Sequence, residues 1–221
     1  FAQATRLLVH STDDLNRLKD TNLTRNTALF PHGVYQSDTS LDTAVLRQRL
    51  GLEGKRVIGS FGFLMPHKGI KELIQAFATL STTHPELHLL LCNAEYPDEK
   101  SARELAECSR LIESLGLEDK VIREHRFLSD SDTLGLLSLC DLLVFPYQHT
   151  EESASGAVRM GIAASVPVLA TPLPIFKDVA PAVHTLPGTT PAALATGIDT
   201  YLQRLDTEGK AALCQQADAW K

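Results

Sequence analysis

Apolar and polar residues follow one another in blocks that predict short buried strands between amphipathic helices. The runs RVIGSFG at 56–62 and LHLLLC at 87–92 are almost wholly apolar, which is typical of strands covered on both faces of a sheet. Between them, apolar residues recur at three- and four-residue spacing over 70–80 and predict a helix. The full pattern predicts strands at 6–10, 27–30, 56–62, 87–92, 120–123, 142–145, 167–170 and 183–186, and helices at 13–20, 43–50, 70–80, 101–115, 130–140, 155–164, 174–179, 191–205 and 207–219.

The alternation of strands with helices predicts the fold class. Strands joined through helices need long crossover connections, which give a parallel sheet with helices on both faces. The sequence therefore predicts an α/β fold with a doubly wound, Rossmann-like parallel sheet. In such sheets ligands bind beyond the carboxyl ends of the strands, near the reversal of strand order. Two polar loops that follow strand ends, at 62–69 and 148–156, are the predicted ligand loops, and the polar stretch at 34–39 is a predicted linker or hinge.

Composition narrows the classes of protein and partner. At 221 residues the chain is long enough for one large α/β domain, or for one domain and part of another. It has 27 acidic and 21 basic residues, and the formal net charge of −6 argues against binding of DNA or RNA. The eight histidines show no ligand spacing, so we expect no structural metal. No apolar run approaches the roughly 18–20 residues of a membrane span. Four widely separated residues are expected to be reduced core thiols of a cytoplasmic protein, namely Cys92, Cys108, Cys140 and Cys214.

The stretch EESASGAVRMG at 151–161 combines a polar turn with the start of a helix of small residues. N–H groups in the first turn of a helix lack internal partners, and the helix dipole adds partial positive charge there. The backbone and hydroxyl groups of Ser153, Ser155, Gly156 and Ala157 are therefore candidates for binding a phosphate. The same residues are also ordinary capping residues, and this second interpretation stays open.

Charged side chains flank both predicted ligand loops. Glu151 and Glu152 directly precede the turn, where they would repel a phosphate, so sugar hydroxyls are their expected partners. An exposed carboxylate near a helix cap is the alternative for Glu152. Lys68 opens the helix at 70–80, where the helix dipole disfavours a cation unless an anion lies beside it. Lys68 is therefore either a phosphate contact or a solvated lysine.

Taken in order, the motifs resemble the donor-binding half of retaining glycosyltransferases of the GT-B fold, in the large family often called family 4. The resemblance runs from about 57 to 179 and is carried by Gly62, Lys68-Gly69, Leu73-Ile74-Gln75-Ala76-Phe77, Asp141, Glu152 and Pro167-Val168. It implies that residues 1–36 are the end of an N-terminal acceptor domain with its hinge, and that 37–221 form the nucleotide-sugar donor-binding domain. Two positions depart from the family pattern, because its Arg falls at Phe63 and its second Glu falls at Met160.

The resemblance also implies roles for individual residues. It makes Lys68 and Glu152 the catalytic residues, with Lys68 on the donor diphosphate and Glu152 on the sugar hydroxyls. Gly62 and Phe63 join the turn residues at the diphosphate. Since the family's Arg is missing, the possible helpers of Lys68 in binding phosphate are His67, Lys71 and Arg159. Further candidate contacts with the nucleotide or sugar are Asn93, Arg126, Thr150 and Met160, and the neighbouring Phe127 is expected to be buried.

The expected function is transfer of a sugar from a UDP- or GDP-linked donor to a glycan or lipid-linked acceptor in polysaccharide biosynthesis, without a metal or other cofactor. The acceptor would be bound through an N-terminal domain of which this chain has only the end. We therefore expect the 221-residue chain alone to bind a donor without efficient transfer. The full-length protein is expected to be cytoplasmic, with peripheral membrane contact at most.

Two alternatives stay open at this point. One is a GT-B-like sugar epimerase. Such an enzyme would carry additional acids and histidines around the cleft, which this sequence does not clearly show. The other is a non-catalytic module that binds nucleotide sugars, and the departures at Phe63 and Met160 favour it. Fold analogy raises the prior for sugar transfer but does not specify the reaction.

Overall fold

The fold is described by a computed structural model of residues 4–19, 21, 25–35 and 43–221. Its strands are β1 (Leu7–Val9), β2 (Thr27–Leu29), β3 (Arg56–Phe63), β4 (Leu87–Ala94), β5 (Val121–Glu124), β6 (Leu142–Phe145), β7 (Val168–Ala170) and β8 (His184–Thr185). Its α-helices are α1 (Thr12–Lys19), α2 (Thr43–Arg49), α3 (Ile70–Thr83), α4 (Glu99–Ser114), α5 (Asp130–Ser138), α6 (Gly156–Ala163), α7 (Pro191–Glu208) and α8 (Lys210–Trp220). Two further segments, Pro66–Lys68 and Pro174–Ala182, are 3₁₀ helices.

In this part of the chain, six strands form one parallel sheet in the order β5-β4-β3-β6-β7-β8. The chain moves outward from β3 to β5, then returns to the other side of β3 and continues to β8, so the strand order reverses between β3 and β6. The predicted doubly wound, Rossmann-like sheet is confirmed. The strands β1 and β2 pair with each other in a separate small parallel sheet.

The hydrophobic core has one layer on each face of the six-stranded sheet. Successive residues of β3 point to opposite faces, so that Ile58 packs with α3, α4 and α7 while Val57 packs with α5, α6 and α8. This double coverage explains the unbroken apolar runs in the central strands. The side chain of Asp141 fixes the start of β3 beside β6, because its Oδ2 accepts a hydrogen bond from the N–H of Val57 at 2.7 Å.

The predicted elements differ from the observed ones mainly at their ends. The helix predicted from residue 155 begins at Gly156, because Ser155 has extended backbone angles and caps it. The predicted helix at 174–179 is a 3₁₀ segment that runs on through Pro181. Most of the predicted linker at 34–39, and the predicted domain boundary at 36/37, lie outside the described residues.

Buried cysteines agree with the sequence analysis. Cys92, Cys108, Cys140 and Cys214 are all buried and free. Burial raises the pKa of both Cys92 and Cys108 to about 12, so these thiols remain protonated and unreactive near neutral pH. Among the described residues, no helix combines the length and hydropathy that a membrane crossing requires.

Candidate functional site

A cavity of about 400 Å³ lies at the carboxyl ends of β3 and β6, where the strand order reverses. Its walls come from the ends of β3, β4 and β6, the loop after β5 and the first turn of α6. The structure brings together at this cavity most of the residues singled out in the sequence, namely Gly62, Phe63, Lys68, Arg126, Glu152, Ser155, Gly156, Ala157 and Met160. Both predicted ligand loops contribute to it.

The two ligand loops are fastened to each other beside this cavity. The N–H of Gln148, after β6, donates to the carbonyl of His67, after β3, at 2.8 Å. Gly69 has a φ of 71°, and a Cβ at this position would overlap the carbonyl oxygen of Pro146. Only glycine adopts this conformation without strain and allows so close an approach. The position of Lys68 relative to α6 is therefore set by backbone contacts.

The N-terminus of α6 faces the cavity through its backbone. The hydroxyl of Ser155 accepts a hydrogen bond from the N–H of Val158 at 3.4 Å and lies 3.0 Å from the hydroxyl of Tyr147. Ser155 is buried, so its hydroxyl has the capping role that the sequence left open as the alternative. The first-turn N–H groups of Gly156 and Ala157 have no acceptor within the helix, and both residues line the cavity.

Lys68 is held between an aromatic ring and a carboxylate. Its Nζ lies 4.1 Å from the centroid of the Tyr147 ring and 3.0 Å from Oε2 of Glu152. His67 Nε2 lies 3.2 Å from the other oxygen of the same carboxylate. Burial, followed by the charge of Lys68, lowers the pKa of His67, so its imidazole is neutral near neutral pH. The sequence analysis predicted an anion beside Lys68, and in this structure the Glu152 carboxylate is that anion.

The other cations near the ligand loops already have partners. Lys71 Nζ lies 2.7 Å from Glu107 and 3.1 Å from Glu104, which holds its pKa well above the usual range. Arg126 donates to Glu124 at 2.9 Å, and its guanidinium is the main cause that lowers the pKa of Glu124 to about 2. These contacts argue against Lys71 as a helper of Lys68 and leave Arg126 engaged at the rim of the cavity.

Arg159, the third suggested helper, is a buried structural residue. Its guanidinium donates to the carbonyls of Ser155 at 2.8 Å and His32 at 3.2 Å, and it forms an ion pair with Asp178. It therefore ties the start of α6 to the N-terminal segment and to the Pro174–Ala182 segment. With every branch of the guanidinium engaged, Arg159 is not available to a phosphate.

Replacing Arg159 with leucine is expected to lower the free energy of unfolding by about 3–5 kcal/mol, because the Asp178 carboxylate would lose its buried partner. Urea denaturation followed by circular dichroism measures the change. Lys177→Ala is the control, because it breaks an exposed ion pair with Asp13 and should cost at most about 1 kcal/mol. A second change, Asp178→Asn, should recover part of the loss in Arg159→Leu. If Arg159→Leu and Lys177→Ala lower the free energy of unfolding by the same small amount, the structural role of Arg159 is contradicted.

Three exposed aromatic side chains lie beside the cavity, and we call Phe63, Tyr96 and Phe127 the aromatic cluster. The rings of Phe63 and Phe127 are nearly parallel, at 17°, with centroids 6.0 Å apart, and Tyr96 meets Phe63 edge-on at 5.0 Å. Phe63 is 38% exposed, Tyr96 45% and Phe127 80%. The expectation that Phe127 is buried is therefore wrong. Its place after β5, at the edge of the sheet, leaves its ring without core neighbours to cover it.

The remaining predicted contacts lie elsewhere. Asn93 is buried in β4 beside Gly62, and neither of its polar side-chain atoms has a hydrogen-bond partner among the described residues. Ser153 and Thr150 line a second, larger cleft of about 950 Å³ between the N-terminal segment and the main sheet domain. Glu152 lines both the cavity and this cleft. Sequence reasoning missed Tyr147 and Tyr96, since a lone tyrosine after a strand gives no local signal of a ligand site.

The fold defines a Rossmann-like domain with a cavity where the strand order reverses, which is the place where such sheets bind ligands. Residues 42–212 match the family described as "Glycosyl transferases group 1", and the chain belongs to this family. Solved structures with this fold are GT-B glycosyltransferases, as the sequence motifs implied.

Known relatives share parts of the chain. It is 35% identical over 106 residues to a mannosylfructose-phosphate synthase of Agrobacterium fabrum, which covers 48% of this chain and 23% of the synthase. It is 31% identical over 110 residues to the uncharacterized glycosyltransferase YqgM of Bacillus subtilis, and the match covers 49% of this chain and 28% of YqgM. The UDP complex of Anabaena HepE has a TM-score of 0.81 at 21% identity, over 98% of this chain and 58% of HepE. In each of these three comparisons the match covers less than two thirds of the relative's own length.

Proposed function

We propose that this chain binds the nucleotide-diphospho-sugar donor of a retaining glycosyltransferase. The observation that carries the proposal is the cavity at the reversal of strand order, where Lys68, the N-terminus of α6 and Glu152 meet. A cation and free backbone N–H groups suit a diphosphate, and a carboxylate suits sugar hydroxyls. HepE, which has the same fold, has been solved with UDP and with UDP-glucose.

The donor is proposed to lie along the cavity in three parts. The diphosphate contacts Lys68 Nζ and the N–H groups of Gly156 and Ala157. The sugar extends toward Glu152, at the opening shared with the second cleft. The base lies on the aromatic cluster, whose exposed rings offer a stacking surface.

These groups also supply the chemistry of transfer. As the bond to the sugar breaks, negative charge develops on the departing diphosphate. The N–H groups at the start of α6, and Lys68 once its ion pair with Glu152 has opened, are proposed to stabilise that charge. We propose that this stabilisation suffices without a metal ion or other cofactor.

The acceptor, a glycan or lipid-linked sugar, is proposed to enter from the second cleft, whose lining includes residues 10–14 and 31–32. Residues 1–36 are proposed to be the end of an N-terminal domain. Efficient transfer is then expected only in the full-length protein, in the cytoplasm and with peripheral membrane contact at most. The 221-residue chain alone would bind donor.

The packing of Phe63 argues against the alternative of a non-catalytic module. Phe63 packs with Phe127 and Tyr96, which favours a rearranged donor site over one that has lost its function.

Calorimetric titration of the chain with UDP, GDP and ADP, and with their glucose derivatives, tests the proposal. One base should bind in the micromolar to low-millimolar range. Phe127→Ala should then weaken binding by about 5- to 150-fold, the value of stacking one base on an aromatic ring. Phe30→Ala removes another exposed ring, outside both clefts, and should leave binding unchanged. If the chain binds none of these nucleotides, the proposal is overturned.

A further inference from the structure

The charges around the cavity balance before any ligand is bound. Among the described residues that line it, the cationic side chains are those of Lys68 and Arg126, and the anionic ones are those of Asp130 and Glu152. Lys68 is neutralised by Glu152 at 3.0 Å, and Arg126 is engaged by Glu124. A nucleoside diphosphate adds at least two negative charges to this balanced site. It can contact Lys68 fully only if the Lys68–Glu152 ion pair opens.

Glu152 is the partner that can move when this ion pair opens. The Lys68 side chain is only 13% exposed and packs over Tyr147, whose ring is buried and whose hydroxyl lies 3.0 Å from that of Ser155. The Glu152 side chain is 46% exposed and lies in the loop between β6 and α6. A free diphosphate would displace the carboxylate from Lys68 and supply no hydrogen-bond donor to replace that contact. Sugar hydroxyls at the opening of the cavity would supply such donors.

We propose that Glu152 determines specificity for the sugar-bearing donor over the free nucleoside diphosphate, by holding the charge of Lys68 until sugar hydroxyls draw its carboxylate away. This inference rests on the proposed donor site and adds a selectivity to it. Opening the ion pair weakens every ligand that carries a diphosphate. Only a ligand with a sugar recovers that loss, through new hydrogen bonds to the carboxylate. The released product therefore competes poorly with fresh donor.

Glu152→Gln separates the two effects, because glutamine cannot neutralise Lys68 but keeps the shape of the side chain. We expect the variant to bind inorganic pyrophosphate, and the nucleoside diphosphate of the preferred base, about fivefold more tightly, the value of a partly exposed ion pair. For the matching nucleotide sugar, the same fivefold gain should be cancelled by a loss of about fivefold, since a neutral amide is a poorer acceptor for sugar hydroxyls. The ratio of the two dissociation constants would then shift by about fivefold, measured by calorimetry with circular dichroism to check folding.

Glu118→Gln is the matched control, since it removes the same charge from an exposed residue that lines neither the cavity nor the second cleft. It should change the two dissociation constants by the same small factor. If Glu152→Gln also changes both constants by one factor while nucleotides bind, the selectivity role is wrong and the donor site stands. If neither pyrophosphate nor any nucleotide binds the unmodified chain, the donor site itself is wrong, and the selectivity fails with it.

Discussion

Replacing Lys68 with alanine is expected to weaken binding of the nucleotide sugar by about 10- to 150-fold, the value of one charge-assisted hydrogen bond. The loss is expected to be large because Lys71 and Arg159, the two cations suggested as its helpers, are engaged with Glu104 and Glu107 and with Asp178. The variant also leaves Glu152 without its partner, which adds repulsion toward the diphosphate. Calorimetric titration with the preferred nucleotide sugar measures the change.

Lys100→Ala is the control for Lys68→Ala, because it removes the same charge from an exposed position on α4. It should leave donor affinity within about twofold of the unmodified chain, as expected for a screened surface charge. A double variant, Lys68→Ala with Glu152→Gln, should recover part of the affinity for the free nucleoside diphosphate, because it removes the repulsion without a sugar contact to lose. If Lys68→Ala binds as well as Lys100→Ala, Lys68 is a structural lysine and the diphosphate lies elsewhere.

The sheet and the position of the cavity could be predicted from the sequence because both depend on local patterns. A run as apolar as LHLLLC is typical of a strand covered on both faces, which is the arrangement that crossover helices give a parallel sheet. The carboxyl ends of parallel strands meet at one edge, so the loops after β3 and β6 had to be neighbours. The family motifs then placed Lys68 and Glu152 on these loops.

Pairing of side chains across the site could not be predicted in the same way. Lys68 and Glu152 are 84 residues apart in the sequence. Arg56 and Asp206 form another ion pair between residues that are distant in the sequence. The sequence marked Arg159 as a candidate for phosphate, yet its position one turn into α6 directs it to Asp178. Burial of Phe127 was expected from its apolar side chain alone, whereas its exposure depends on the end of β5 lying at the sheet edge.

Replacing Gly69 with alanine is expected to lower the free energy of unfolding by about 4 kcal/mol, because backbone strain and steric overlap add to each other. Alanine at a φ of 71° costs about 1–2 kcal/mol in backbone strain. The added methyl group would also overlap the carbonyl of Pro146, so the loops after β3 and β6 must separate. Separation breaks the hydrogen bond between Gln148 and His67 and moves Lys68 away from α6. Urea denaturation gives the stability, and titration with donor gives the affinity of the folded fraction.

Gly116→Ala separates the two causes of this loss. Gly116 has a φ of 64°, close to that of Gly69, but nothing lies within 4 Å of a Cβ built there. Its replacement should therefore cost only the strain of about 1–2 kcal/mol and leave donor affinity unchanged. If Gly69→Ala costs no more than Gly116→Ala, the two loops tolerate a methyl group between them. Donor affinity would then have to be explained without a fixed backbone contact between the loop that carries Lys68 and the loop that carries Glu152.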